Sequence, residues 1–171
     1  MSEATPIRDL FGTYEGRVDL ASGRLSLPSD FESLKFTKVW VGIEPWGRYL
    51  HLRLPATLEP LQDGVFKKAN GAESPEKLSW LAFYLGEFWP TQVDNSFRLV
   101  IPKKAREVLK GDPEVVIVGI GHELQIWPRG EWERFREQAR QIIRDTYEKY
   151  ATEIYRCAPA EEAQAMSGPV G

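Results

Sequence analysis

Arg24 and Arg98 each stand just after a polar turn and at the head of a short apolar stretch, RLSLP and RLVIP. A guanidinium is planar and permanently charged, and its fork of donors can bond a phosphate or a guanine edge at two points. Asp94, four residues before Arg98, could instead hold that side chain to its own turn. Both roles are open for Arg98, and they can coexist, because a buttressing carboxylate fixes where an arginine points. Downstream lie Lys103, Lys104 and Arg106, so the window Thr91–Arg106 carries four cations against Asp94 alone. Pro102 should open a short helix, which would put Lys103 and Lys104 in a first turn whose free N–H groups attract anions. The matching window Arg17–Glu32 has Arg17 and Arg24 against Asp19, Asp30 and Glu32. The second window is therefore the stronger electrostatic candidate.

Other chemistry finds little support. His51 and His122 are the only histidines and Cys157 the only cysteine, in no metal-ligand spacing and in no nucleophile-and-base pattern. No enzyme activity, metal or other cofactor, or small-molecule substrate is expected. The formal net charge is −3, so any nucleic-acid surface must be a local patch. The N-terminus lacks a charged segment followed by an apolar run, and no stretch nears the roughly 18 apolar residues of a membrane span. A cytoplasmic chain without membrane contact is the expectation. Arg136, Arg140 and Arg144 recur along the last helical segment, but acids balance bases from Glu131 to Arg156, as on a solvated, ion-paired face. The six tryptophans have no flanking basic pattern and fit core packing and subunit contacts better than base stacking.

The elements that must position these residues occur twice. With Arg24 over Arg98, Gly12 meets Gly86, Tyr14 meets Phe88, and Leu27-Pro28 meets Ile101-Pro102. Farther on, VWVGI (Val39–Ile43) matches VIVGI (Val116–Ile120) after a short slip. An ordered series of this kind points to a duplication. Each copy reads as strand, turn, strand, short helix (SDFESL or KKAREVLKG), strand, strand. VVIVGI is continuous and β-branched, which predicts burial on both faces; ELQIW alternates, which predicts one wet face. Gly111 should cap the second short helix. Ser74-Pro75-Glu76 reads as the start of a connecting helix, and Trp132 to Ile154 as the apolar stripe of a long C-terminal helix. The expected organisation is a first unit over 11–57, a loop and connecting helix over 58–84, and a second unit over 85–130. A C-terminal helix over 131–156 and a disordered tail over 157–171 complete it.

Two units carrying the pattern D-x-x-x-R-[LI]-x-[IL]-P, with EVVIVGIGHELQIW and Glu131-Trp132 following the second, resemble the MraZ family and, more broadly, the AbrB-type swapped-hairpin fold. The resemblance implies an α+β chain whose two pseudo-repeated units share a double-split β-barrel. It also implies a sequence-specific transcriptional regulator of cell-division and cell-wall genes, on the nucleoid, binding double-stranded DNA as a ring-forming homo-oligomer. The DNA-binding residues would be Arg17, Arg24, Arg98, Lys103, Lys104 and Arg106, with Asp94 buttressing its turn. An alternative is a ring-forming interaction protein of the same fold with weakened DNA binding. Two departures motivate it. Leu20 occupies the acidic position of the first unit, and Asp19, one residue early, should face the other way if that stretch is extended. Phe97 replaces the glycine expected before the arginine, so either Asn95 takes the left-handed conformation or the turn is built differently.

Overall fold

The computed structural model describes residues 9–58 and 75–156. In chain order these form β1 (Leu10–Arg17), β2 (Arg24–Ser26), a 3-10 helix at Glu32–Leu34, β3 (Lys38–Ile43), β4 (Leu50–Arg53) and α1 (Pro75–Gly86). There follow β5 (Phe88–Gln92), β6 (Arg98–Val100), a second 3-10 helix at Ala105–Leu109, β7 (Glu114–Gly121), β8 (Glu123–Pro128) and α2 (Arg129–Arg156). The class is α+β: one large antiparallel sheet, short helices and a long C-terminal helix.

The sheet runs β1-β7-β8-β4-β3-β5, while β2 and β6 pair with each other in a separate ribbon. Each half thus lends its first strand to the other. β1 pairs with β7 along its whole length, from Leu10↔Gly121 to Arg17↔Glu114, and β5 pairs with β3. Exchanging β1–β4 for β5–β8 leaves the strand order unchanged. One face of the sheet carries Val41, Leu50, Leu52, Ile117, Leu124 and Ile126, all buried. The ribbon and both 3-10 helices close over this core through Leu25, Leu99, Phe31, Leu34, Ala105 and Leu109.

β7 is buried from Val115 to Val118, as its composition predicts. β8 has no wet face, contrary to expectation: Glu123 and Trp127 are as buried as Leu124 and Ile126. The cover comes from elsewhere in the chain. Tyr49 stacks on Trp127 with centroids 4.2 Å apart, Trp132 meets it edge-on, and His51 lies between Phe88 and Tyr84 of α1. Beneath this aromatic layer the Glu123 carboxylate takes a bond from Arg53 and lies 3.0 Å from His51 Nδ1. Burial pushes the Glu123 carboxyl up, but His51 and Arg53 together outweigh it and hold the group below its ordinary value. Burial, aided by Glu44 and Glu123, pushes the Tyr49 phenol up to about 12.

The proline-led helices are shorter than SDFESL and KKAREVLKG suggest. Their buried residues, Phe31 with Leu34 and Ala105 with Val108, lie three apart, a spacing the three-residue turn aligns. Lys103 and Lys104 consequently occupy a turn before the second 3-10 helix, which is too short to offer the expected anion-binding helix start. That helix ends on Lys110 in the left-handed region (φ 52°), with Gly111 following it there, and Lys110 Nζ bonds Glu131 at 2.9 Å. The tryptophans are not a uniform core set either: Trp127 is fully buried, whereas Trp46 and Trp80 are exposed. The helix expected from Ser74 runs Pro75–Gly86; Ser74 itself and the tail from 157 lie outside the described residues.

Residues up to Trp132 form one compact unit, and the chain from Glu133 forms a second. In the second unit α2 exposes Ile142, Ile143, Tyr147 and Tyr150. Among the described residues no helix is long and apolar enough to cross a membrane.

Candidate nucleic-acid interface

β2 and β6 are three residues each and alternate exposed, buried, exposed. Their register, Arg24↔Val100, Leu25↔Leu99 and Ser26↔Arg98, sends the two leucines into the core. That anchoring leaves Arg24, Ser26, Arg98 and Val100 on one outer face. Arg24 and Arg98 are diagonal neighbours, a relation that separates α-carbons by about 7–8 Å. Thr91, Gln92 and Asp94 join them in lining a shallow depression. Thr91 is tied to the ribbon by its hydroxyl, which donates to the Val100 carbonyl at 3.0 Å.

The turns that feed the two arginines lie at opposite ends of the ribbon, each bonded to the half it does not belong to. Ile101 N–H donates to the Gly23 carbonyl at 2.8 Å, and Leu27 N–H to the Phe97 carbonyl at 2.7 Å. The first turn therefore has Pro102, Lys103 and Lys104 following on beside it. The more acidic of the two windows, Arg17–Glu32, thus has a lysine pair of the other half beside its turn.

In the second turn Asp94 Oδ1 accepts from Ser96 N–H and Arg98 N–H, at 2.8 and 2.9 Å, and Oδ2 accepts from Arg98 Nε at 3.1 Å. The bond from Arg98 N–H, helped by Ser96 N–H and the guanidinium, holds the Asp94 carboxyl below its ordinary value. Phe97 itself takes the left-handed conformation, φ 58°, rather than Asn95. Its half-buried ring packs against the core, with Lys35 Nζ 5.4 Å above it.

The first turn is one residue longer, and this corrects the expectation for Asp19. The stretch is not extended, so the exposed Asp19 bends back over its own turn and takes over the backbone part of Asp94's role. Both aspartates donate their N–H to the carbonyl of the following arginine, Asp19 to Arg24 at 2.9 Å and Asp94 to Arg98 at 2.8 Å. Asp19 Oδ1 accepts from Ala21 N–H, and Oδ2 from the Ser22 hydroxyl, which in turn accepts from Arg24 N–H. The Ser22 bond leads the causes that hold the Asp19 carboxyl below its ordinary value. Gly23 fills the left-handed position at φ 78°. Among the described residues nothing hydrogen-bonds or ion-pairs with the Arg24 guanidinium.

The remaining residues of the expected set are placed differently from one another. Lys103 and Lys104 are exposed and lack partners among the described residues. Arg17, at the end of β1, pairs with Glu114 across the register. Arg106 directs its donors to backbone carbonyls, not outward. Sequence reasoning missed Lys35 and Lys38. Lys35 is brought to the second turn by its ring contact with Phe97, and Lys38 pairs in register with Gln92 of β5.

The family model described as "MraZ protein, putative antitoxin-like" matches residues 89–157, a span that includes the second turn, Arg98 and the lysine pair. The chain is 31% identical over 146 residues to the "Transcriptional regulator MraZ" of Marinomonas sp., covering 83% of this chain and 93% of that protein. It is 27% identical over 126 residues to the protein so named in Mycoplasmoides gallisepticum, covering 74% and 86%. With that of Bifidobacterium longum it shares 22% over 145 residues, covering 85% and 94%. Near-complete alignment with proteins of one name, over both halves of the fold, means that the chain belongs to the MraZ family.

Proposed function

We propose that this chain is a DNA-binding transcriptional regulator that presents the outer face of the β2–β6 ribbon to duplex DNA. One observation carries the reading: Arg24 and Arg98 share the exposed face of a two-stranded ribbon whose other face is anchored in the core. A two-stranded β-ribbon fits the major groove, where a guanidinium fork can bond guanine O6 and N7. Lys103 and Lys104, beside the first turn, supply phosphate contacts, with Lys35 doing the same beside the second. Arg17 is a peripheral contact at most, because its guanidinium already pairs with Glu114.

The same proposal takes 11–57 and 85–130 as diverged copies of one unit that close a shared double-split β-barrel. The strand order, unchanged on exchanging the halves, supports it. It places the protein in the cytoplasm on the nucleoid, acting on cell-division and cell-wall genes as a ring of several copies. Several weak surfaces on one duplex then gain affinity by avidity. The exposed Ile142, Ile143, Tyr147 and Tyr150 of α2 favour self-association, and they equally suit an interaction protein that has lost DNA binding.

Selection from randomised duplexes, followed by titration at two salt concentrations, separates the two readings. A regulator enriches a sequence and binds it with an affinity that falls steeply with salt. Arg24→Ala or Arg98→Ala then costs about 1–3 kcal/mol on the selected site, while replacing Lys103 and Lys104 weakens all duplexes and lowers the salt slope by about 0.9 per phosphate lost. No enrichment and no salt dependence would leave the interaction protein.

A further inference from the structure

Arg106 lies in the second 3-10 helix, yet its side chain reaches the turn of the opposite half. Nε donates to the Ile101 carbonyl at 2.8 Å. Nη1 donates to the Ala21 carbonyl at 3.0 Å and reaches the Leu20 carbonyl at 3.5 Å, while Nη2 donates to the Ser22 carbonyl at 2.7 Å. One guanidinium therefore gathers three consecutive carbonyls of the first turn. Gly23 closes the nest: a Cβ there would overlap the guanidinium, and φ 78° disfavours any other residue. Only a planar group with five donors can serve so many acceptors at once; an ammonium is a point charge with three.

The second turn lacks this clamp. Counted from the proline after the strand, the residue matching Arg106 is Glu32, an exposed carboxylate. That turn is instead held from within, by Asp94 on Arg98. The clamp and the latch are alternative solutions with different consequences for the arginine that follows. The latch occupies Nε of Arg98. The clamp works on carbonyls and leaves all the donors of the Arg24 side chain unengaged among the described residues.

We infer that Arg106 is the positioning residue of Arg24: it fixes the first turn from across the fold, so that Arg24 meets a base edge with an unencumbered fork. Arg106 itself touches no DNA. The inference rests on the ribbon reading given above and adds to it what aims Arg24.

The test uses the full chain, the duplex enriched by selection and a scrambled duplex, with Arg24→Ala, Arg98→Ala, Arg106→Ala, Arg106→Lys, Gly23→Ala and the Arg24→Ala/Arg106→Ala double variant. Arg106→Ala should cut discrimination between the duplexes on the order of tenfold, with the salt slope unchanged because no phosphate contact is lost. In the Arg24→Ala background it should cut discrimination no further, although thermal stability falls in both. Gly23→Ala, which displaces the guanidinium while keeping its charge, should reproduce the loss if Arg106→Ala folds poorly. Arg106→Lys should not restore discrimination. A salt slope lowered by about one would make Arg106 a phosphate contact and overturn the inference. So would full discrimination in Arg106→Ala or Arg106→Lys, or an equal further loss in the double variant. If Arg24→Ala and Arg98→Ala both discriminate as the parent does, the ribbon reading itself fails, a result distinct from any of these.

Discussion

The two turns of the ribbon solve one problem in two ways. Each must deliver an arginine from a tight reversal onto an exposed three-residue strand. The second does so with local means, since Asp94 binds the N–H groups of Ser96 and Arg98 and the Arg98 guanidinium, all within four residues. The first spends its aspartate on neutral donors, Ala21 N–H and the Ser22 hydroxyl, and takes its outer restraint from Arg106, 84 to 86 residues away. The backbone bond from aspartate N–H to arginine carbonyl survives in both. A turn's shape can thus be kept while its supports migrate, and the migration decides whether the arginine arrives free or already engaged.

The largest test of this comparison strikes what the turns share. Glu123 of β8 is buried between His51 and Arg53, so Glu123→Gln leaves the largely covered Arg53 without its countercharge. Breaking a buried pair in this way costs about 3–5 kcal/mol, to be read from urea unfolding. Because the folded Glu123 carboxyl titrates below its ordinary value, its stabilisation is complete above the unfolded value near 4.3 and fades as pH falls through the folded one. The parent should therefore lose stability below about pH 4 on a limb that Glu123→Gln largely lacks. Both turns should suffer together; damage confined to one would break the premise of a common support.

A smaller and more selective effect separates the aspartates. Asp94→Asn removes the charge that holds Arg98, so the arginine should become mobile and discrimination on the selected duplex should fall. Asp19→Asn should change little, since the amide oxygen can still accept from Ala21 N–H while the amide NH2 donates to the Ser22 hydroxyl oxygen. Paired titrations of the two variants check this, and equal responses would mean that the turns do not differ in the way described. The smallest effect is expected at Phe97. Glycine there would relieve a left-handed backbone, worth roughly 1 kcal/mol, while losing the ring's packing against the core and Lys35. The two nearly cancel, so Phe97→Gly should shift stability by less than about 1 kcal/mol. A loss well beyond that would make the ring a principal support of the second turn, which the latch alone does not require.

Much of this was legible in the chain because it is local. Asp94 and Arg98 are four apart, Pro75 opens α1, and the β-branched run of β7 announces its burial. Apart from the short helices and the left-handed Phe97, the corrections come from distant partners or from a single added residue. The alternation in ELQIW predicts a wet face, but Tyr49 and His51 at β4 and Tyr84 of α1 cover it. Asp19 looks misplaced by one position until the extra residue of its turn is counted. Lys103 and Lys104 look like companions of Arg98, whereas strand exchange sets them beside the turn of Arg24. Arg106 looks like one more surface cation because nothing near it in sequence announces the carbonyls it binds.

The pairing of β1 with β7 also has a consequence in time. Arg17 and Glu114, which meet at its end, are 97 residues apart in the chain. At a ribosome's pace of roughly 5–20 residues per second, β1 emerges about 5–20 seconds before its partner exists. For that interval the nascent first half displays a strand whose hydrogen-bonding edge has nothing to bind, a liability that folded proteins usually hide. β5, by contrast, is born after β3 and can dock at once. Folding of this chain is therefore expected to be a late event, completed only when the second half has been made. Its early synthesis is the period in which chaperones, or a neighbouring nascent chain, would matter most.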